Sequence, residues 1–586
     1  MSGVKTEIIS IIKQSLAGIT SQNINFLVEK PENESFGDYS SNVALVASKI
    51  LKKNPFDLAQ ELVGKINSSR LTLPNIDKVE AVKPGFINFH LSKEYLVSQL
   101  GKTPLRQGFA GRRIMVEFTD PNPFKEFHIG HLYSNTVGES ISRLLEMMGA
   151  NVKRANYQGD VGMHVAKALY GLLRKSNLEN QISKMEEKSL KEKIKTLGEE
   201  YVFGAKAFEE NEKAKREIEQ LNKKIYDKDP VIMGLYGKGR QWSLEYFETL
   251  YKRLGTKFDF YYFESEVGIN GQEIVKEYLK KGVFEESQGA VIFPGKKQGL
   301  HDRVFINSLG LPTYEAKELG LAFKKYQDFK FDQSIVITGN EIIGYFKVLI
   351  KALSKIDPDL AAKIKHLPHG MVRLPTGKMS SRSGNIVTGE WLLDEAKKLL
   401  KSKYSEMKEE TLEKVAVGSV KYALLKSSLG HDIEFDFEES ISMQGNSGPY
   451  LQYTYARTQS VLSKSEVQNP KSETNSKSQN SNIKKVSNFG IRYSNLKLEN
   501  EEMSILKTLY RFPEMVELAG EKFAPNLLCN YLFDLAQKFN LFYQKHKILQ
   551  SRTSEQKEFR LALTQSTGII IKNGLNLLGI SAPERM

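Results

Sequence analysis

The chain has 586 residues, 40% of them hydrophobic, and a mean hydropathy of −0.39, which excludes a disordered or fibrous protein and leaves material for about four domains. Its 84 lysines and arginines exceed 70 aspartates and glutamates for a net charge of +14, a balance that suits a polyanionic partner without requiring one. A single cysteine, Cys529, excludes an intramolecular disulfide framework and an all-cysteine zinc site, and no run of about 18 apolar residues offers a membrane span.

The first residues, Met1 to Ser10, carry Glu7 early and are unlike a secretory or mitochondrial leader, so the expected compartment is the cytoplasm. Ile8, Ile9, Ile12 and Leu16 recur at helical spacing, and Gly85 to Leu91 alternates as a strand. Residues 1–103 therefore read as a small α/β module. Ile114, Val116 and Phe118 alternate like a half-buried strand, and the prolines of Asp120-Pro-Asn-Pro123 end the ladder because they cannot donate to it. After Gly130 a helical pattern follows through Leu132, Val137, Ile141, Leu144, Leu145 and Met148 to a stop at Gly149.

His128 and His131 thus sit at a strand-to-helix crossover. In a parallel sheet that is the carboxyl edge, where a helix N-terminus offers free N–H groups to a phosphate. A His-x-x-His pair alone is more often a metal half-site or two surface histidines. Metal is unattractive here, with one cysteine in the chain and no carboxylate at zinc spacing, so no metal site is expected. Val152 to Tyr157 reads as the next strand of a βαβ unit, and Gly159-Asp160-x-Gly162 turns into a helix over Ala166 to Leu173, with glycines that permit close approach to backbone.

Residues 176–228 carry mixed-sign charges at helical spacing and predict exposed helices inserted between the halves of the fold, too short and too charged for an editing domain. Phe258–Phe263, Ala290–Phe293 and Ser334–Gly339 predict further strands, and Tyr314 and Glu318, four residues apart on a helix, share one face. Gly377-Lys-Met-Ser-Ser-Arg-Ser-Gly384 is a basic loop with adjacent hydroxyls, a surface loop if taken alone. Helices follow near Trp391 and over Val415–Leu429, then a short strand at Glu434. From Gly445 the chain turns helical, apart from residues 463–495, which hold almost no apolar side chain and predict a disordered loop.

The motifs converge when read together. Pro121 to His131 fits Pro-Asn-x-x-Lys-x-x-His-x-Gly-His, and with Asn156–Gly162, Pro312–Glu318, Gly370–Arg382, Gly37–Ala44 and Leu578–Met586 it makes the chain resemble arginyl-tRNA synthetases, of the class I aminoacyl-tRNA synthetases, over nearly its whole length. The resemblance implies an α/β protein: a Rossmann-like parallel-sheet catalytic domain (104–370) with the charged insertion at 176–228, a small amino-terminal α/β domain (1–103) touching the tRNA elbow, a connecting region (371–444) and an all-α anticodon-binding bundle (445–586). It implies arginine–tRNA ligase activity, with L-arginine, ATP as its Mg²⁺ complex and tRNA(Arg) as partners, and a monomer. His128, His131 and Lys378 would be catalytic, and Gly130, Ser380, Ser381 and Arg382 would hold ATP. Glu117, Asp120, Asn122, Tyr314 and Glu318 would hold arginine, and Tyr453 and Arg457 would meet tRNA.

Three positions depart from the family pattern: Glu126 stands where proline is common, Tyr133 where arginine often follows the second histidine, and Glu318 where aspartate is common. The added methylene of Glu318 shifts any contact with a guanidinium. Within the class the nearest rival is another aminoacyl specificity, and two rivals outside it have their own signatures. A small-metabolite nucleotidyltransferase would need neither the amino-terminal module nor the helical bundle, and a non-catalytic RNA-binding paralogue would have no reason to keep His128, His131 and Lys378.

Overall fold

The computed structural model describes residues 3–31, 33–68, 73–102, 107–174, 178–375, 387–467 and 496–586. In the amino-terminal module α1 (Gly3–Ala17), α2 (Val43–Leu51) and α3 (Pro55–Ser68) accompany an antiparallel sheet of β1 (Val28–Glu29), β2 (Tyr39–Ser41), β3 (Ile76–Val82) and β4 (Phe86–Leu91), in the order β1-β2-β4-β3. Ile8, Ile12, Leu58, Leu62 and Phe89 form its fully buried core. A short helix, α4 (Lys93–Ser98), leads out, capped by the Ser92 side chain.

The catalytic domain is built on a five-stranded sheet in the order β12-β11-β5-β6-β7, every pairing parallel. Its strands are β5 (Arg113–Glu117), β6 (Asn151–Gln158), β7 (Phe260–Phe263), β11 (Gln333–Gly339) and β12 (Ile364–His369). Helices α5 (Ile129–Met147), α6 (Met163–Leu173), α10 (Pro230–Leu254), α11 (Glu264–Lys280), α12 (Tyr314–Asp328), α13 (Ile343–Ile356) and α14 (Pro358–Lys363) connect them. The alternation seen around Ile114 does not mean a half-exposed strand: Ile114, Met115, Val116 and Glu117 are all buried, because β5 is the central strand with helices on both faces. The strand expected at Ala290–Phe293 belongs elsewhere, to an antiparallel trio β8 (Glu285–Ser287), β9 (Ala290–Phe293) and β10 (Arg303–Ile306) outside the parallel sheet.

The charged insertion forms α7 (Leu178–Glu186), α8 (Leu190–Glu210) and α9 (Glu212–Tyr226), and one face of it is not solvated. Glycines bring α8 against α6: a Cβ on Gly204 would stand 2.0 Å from the Lys167 carbonyl oxygen, and one on Gly171 would stand 2.5 Å from that of Glu200. Helix α8 starts on a reciprocal cap between Ser189 and Glu192.

Beyond β13 (Val372–Arg373) come α15 (Gly389–Lys403), α16 (Glu409–Leu425), β14 (Ile433–Glu434) and α17 (Phe437–Ser440). The carboxyl-terminal bundle comprises α18 (Gly448–Val467), α19 (Asn500–Tyr510), α20 (Phe512–Glu521), α21 (Pro525–Lys545) and α22 (Ser554–Leu577). Helix α18 runs five residues into the segment expected to be a disordered loop, since Val461 still anchors it in the core and Lys464 suits a helix carboxyl end; residues 468–495 lie outside the described residues.

Candidate active site

The site begins where β5 ends. Thr119 and Asp120 take positive φ angles of 81° and 47°, and Phe124 one of 67°, a conformation that costs non-glycine residues about 1 kcal/mol or more each. Neighbouring helices hold the turn: Ser134 Oγ accepts from Thr119 N at 3.0 Å, Asn135 Nδ2 donates to Thr119 Oγ1 at 2.9 Å, and Ser243 Oγ accepts from Phe124 N at 3.0 Å. The Asp120 carboxylate accepts from the backbone N–H of Tyr157 at 2.7 Å, tying the turn to the end of β6.

The two histidines cap α5 for each other. His128 Nδ1 accepts from the N–H groups of Gly130 (3.1 Å) and His131 (3.3 Å), and His131 Nδ1 accepts from His128 N at 3.3 Å, with the rings stacked 3.5 Å apart. Using both Nδ1 atoms as acceptors places each ring proton on Nε2. Burial, helped by the charge of Lys125, lowers His128 to about 4; burial, then His128 and Lys125, lowers His131 well below the usual range. Both are neutral donors near pH 7. A Cβ on Gly130 would stand 3.0 Å from the His128 ring.

These residues line one side of a cavity of about 630 Å³, with Glu117, Asp120 and Asn122 in the same wall. The carboxyl ends of the other strands supply the rest: Tyr157 and Gly159 after β6, Glu264 after β7, Thr338 and Glu341 after β11, and His369 with Gly370 to Arg373 after β12. Gly159 has to be glycine, because a Cβ there would lie 2.3 Å from Asn122 Oδ1. Its neighbour Asp160 is structural. It accepts from Arg240 Nε (2.9 Å) and from Ser265 N and Oγ (2.9 and 2.7 Å), joining β6 to α10 and α11.

Four acids meet here, Glu117 and Glu264 buried and Asp120 and Glu318 half-buried, with two buried lysines. Glu117 pairs with Lys325 and Glu264 with Lys317, each at 2.6 Å, which leaves Asp120 and Glu318 without a lysine. Burial and the charge of Glu117 raise both: Asp120 stands well above the usual carboxylate range, and Glu318 is pushed up to about 8. The cavity is short of positive charge and suits a cationic ligand.

Of the residues singled out in the sequence, His128, Gly130, His131, Glu117, Asp120, Asn122 and Glu318 come together in this wall. Tyr314 does not: at the first turn of α12 its side chain is 57% exposed, with the Lys317 ammonium 5.1 Å from its ring, whereas Glu318, one turn on, points inward. Lys378, Ser380, Ser381 and Arg382 lie outside the described residues, but both flanks of their segment, Arg373 and Val387, line the cavity. Val387 O accepts from Ile129 N (3.1 Å) and Phe127 O from Gly389 N (2.7 Å). In the bundle the Arg457 guanidinium lies 4.8 Å from the Tyr453 ring and 4.9 Å from that of Tyr543, and both rings are more than a third exposed. Glu264, Thr338, Glu341 and His369 were not picked out from the sequence, and their one signal is a place at the carboxyl end of a parallel strand; Tyr157 stood inside the Asn156–Gly162 motif but was given no role.

A parallel sheet that carries a mutually capped histidine pair on its central crossover, beside a nucleotide-sized cavity and ahead of a helical bundle, defines a class I aminoacyl-tRNA synthetase. The model of the class I (R) tRNA synthetase catalytic domain matches residues 96–437, that of the arginyl-tRNA synthetase N-terminal domain 6–91, and that of the DALR anticodon-binding domain 451–586. The arginine–tRNA ligase of Treponema denticola is 32% identical over the whole of both chains, and that of Flavobacterium psychrophilum 31% over 98% of this chain and 99% of the relative. Among solved structures, Thermus thermophilus arginyl-tRNA synthetase superposes with a TM-score of 0.79 at 23% identity, over 99% of this chain and 100% of that one. The chain belongs to the arginyl-tRNA synthetase family.

Proposed function

We propose that the protein is an arginine–tRNA ligase. The observation that carries this is how the acids of one wall are paired: Glu117 and Glu264 each hold a lysine, while Asp120 and Glu318 beside them hold none, which leaves two carboxylates for two cations. Arginine brings two, its guanidinium and its α-ammonium. Glu318 with Glu117 takes the planar fork, and Asp120 with Asn122 takes the α-amino and carboxylate end.

In the first step an oxygen of the arginine carboxylate attacks the α-phosphorus of ATP, the bond to the bridging oxygen breaks, and pyrophosphate leaves with its electron pair. In the second, the 2′-OH of the terminal adenosine of tRNA(Arg) attacks the arginyl carbonyl, loses its proton, and AMP departs. Neither step needs a protein nucleophile, so the residues work by position and charge. The Nε2–H groups of His128 and His131 donate to phosphate oxygens as charge builds, without the repulsion a protonated ring would exert on arginine. Lys378, Ser380, Ser381 and Arg382 serve the β- and γ-phosphates of the Mg²⁺ complex of ATP. The amino-terminal module meets the tRNA elbow, and Tyr453 and Arg457 meet the anticodon loop.

ATP–pyrophosphate exchange with each amino acid in turn, with and without total tRNA, tests the reading. Exchange with arginine alone among the amino acids, and only when tRNA is present, is the expected result. Exchange driven by another amino acid reassigns the substrate, and tRNA-independent adenylation of a small metabolite points to a nucleotidyltransferase.

A further inference from the structure

Tyr157 ends β6 beside Gln158 and pairs with Tyr262 in the sheet. Its backbone N–H is already committed to Asp120, while its side chain, 8% exposed, reaches into the cavity wall. The phenol oxygen there has no hydrogen-bond partner among the described residues. A buried hydroxyl that faces a cavity and has no partner within the protein is a group whose partner arrives with the ligand.

The surroundings say what that partner offers. Glu117, Glu264 and Glu318 share the wall with Tyr157, so the neighbourhood is rich in acceptors and poor in donors. Burial, then the charges of Glu264, Glu318 and Glu117 and the nearby Tyr345, hold the phenol in its protonated form. A guanidinium has N–H donors and no acceptor, so the phenol can use only its lone pair toward it and must send its own hydrogen to a carboxylate of the wall.

We infer that Tyr157 is a specificity-determining residue for the side chain of the amino acid substrate, accepting an N–H of the guanidinium on its oxygen and donating to a wall carboxylate. The inference rests on the arginine–tRNA ligase reading and deepens it, because it adds a neutral acceptor to guanidinium contacts that are otherwise ionic. A site built this way discriminates by geometry as well as charge: a ligand cation lacking the forked donors leaves the phenol unpaired.

Tyr157→Phe removes the oxygen and keeps the ring, so the core around β6 is undisturbed. In arginine-dependent exchange with tRNA present, the variant is expected to raise the KM for arginine by about 10- to 100-fold, as for loss of a hydrogen bond to a charged group. The KM for ATP and kcat stay within about twofold. Its melting temperature without ligand equals or exceeds that of the parent, since a buried unpaired hydroxyl is gone, and the upward shift produced by arginine shrinks while that produced by ATP is kept. An unchanged arginine KM overturns the inference, as does an equal rise in both KM values, which marks a structural role. If the parent enzyme shows no arginine-dependent exchange, it is the functional reading that has failed, and this is seen before the variant is made.

Discussion

Glu318 is the residue on which affinity and proton uptake meet. Burial and the charge of Glu117 push its carboxyl up to about 8, against the pull of Lys325; Glu264 and Glu315 add to the rise, while Tyr157 and Tyr345 face it without charge. In the proposed function arginine binds the ionised form, so below that value each bound arginine expels a proton. The KM for arginine is expected to fall by up to about tenfold per pH unit on going from pH 6.5 to 8, and to level off above. The folded-state value lies above the unfolded one, so the free protein holds a proton the unfolded chain releases, and stability is lost as pH rises from about 4.3 toward 8. Glu318→Gln makes that slope in melting temperature shallower, leaving the part that Asp120 contributes, and raises the arginine KM by about 10²-fold; a flat KM–pH profile in the parent enzyme refutes the linkage. His128→Ala is expected to act differently, lowering kcat for exchange by about 10²-fold with little change in arginine KM, because its Nε2–H matters most as phosphate charge develops. At this scale the sequence disclosed the residues with a motif around them, His128, His131 and Asp120 among them. It gave Tyr157 no role despite the motif around it, and it did not disclose His369, which enters the site only because parallel strands end together, nor the lysines that neutralise Glu117 and Glu264 from positions 208 and 53 residues away.

Elements show how the site is held. Helix α5 carries the histidines at its start and the catalytic domain's contact with the bundle farther along: Ser140 Oγ donates to Leu577 O at 3.0 Å and Arg143 Nη1 to Asn576 O at 2.8 Å. Its approach to β5 depends on Gly138, where a Cβ would lie 2.1 Å from the Phe118 ring. On the other side α8 braces the turn that precedes His128. A Cβ on Gly198 would stand 3.0 Å from the Glu126 side chain, and the Lys125 ammonium lies 4.6 Å from the Tyr201 ring. That gives Glu126 a structural place: where a proline has no side chain to reach out, the glutamate extends to the insertion. Charge patterning hid this from the sequence reading, since the close approach is made by glycines and even a charged residue of α8, Glu200, is buried in the contact. Gly204→Val drives a branched side chain into the Lys167 carbonyl and is expected to destabilise by about 1–3 kcal/mol. Because α8 also supports Lys125 and Glu126, kcat for exchange falls with it, while the KM for tRNA is kept. Thermal melting and exchange kinetics on the same preparation check both; a stable variant of normal activity would show that α8 is only a passenger.

On the scale of the whole molecule the two ends of the chain touch. The amino-terminal module sets its Gly-Asp-Tyr-Ser turn on the carboxyl-terminal bundle: Lys507 pairs with Asp38 at 3.1 Å, Arg511 Nη2 donates to Asp38 O at 2.8 Å, Tyr39 OH donates to Glu514 at 2.9 Å, and the Tyr95 and Tyr510 rings meet edge to face at 5.7 Å. The order of modules was legible from composition and motif, but this contact was not, because its partners are more than 400 residues apart in the chain and the Gly37–Ala44 motif does not say what Asp38 and Tyr39 touch. In the proposed function these two modules grip opposite parts of one tRNA, so fixing their spacing raises the effective concentration of the second contact once the first is made. Lys507 keeps a partly exposed side chain but Asp38 is buried, so losing the lysine also leaves a carboxylate with less compensation, and loss of preorganisation is felt at every tRNA encounter. Replacing Lys507 and Arg511 together by alanine is therefore expected to leave the arginine and ATP KM values and kcat at saturating tRNA as they are, and to raise the KM for tRNA by about 3- to 10-fold. Steady-state aminoacylation over a range of tRNA concentrations measures this directly. An unaltered tRNA KM means that the bound tRNA, and not the contact between the modules, sets their spacing.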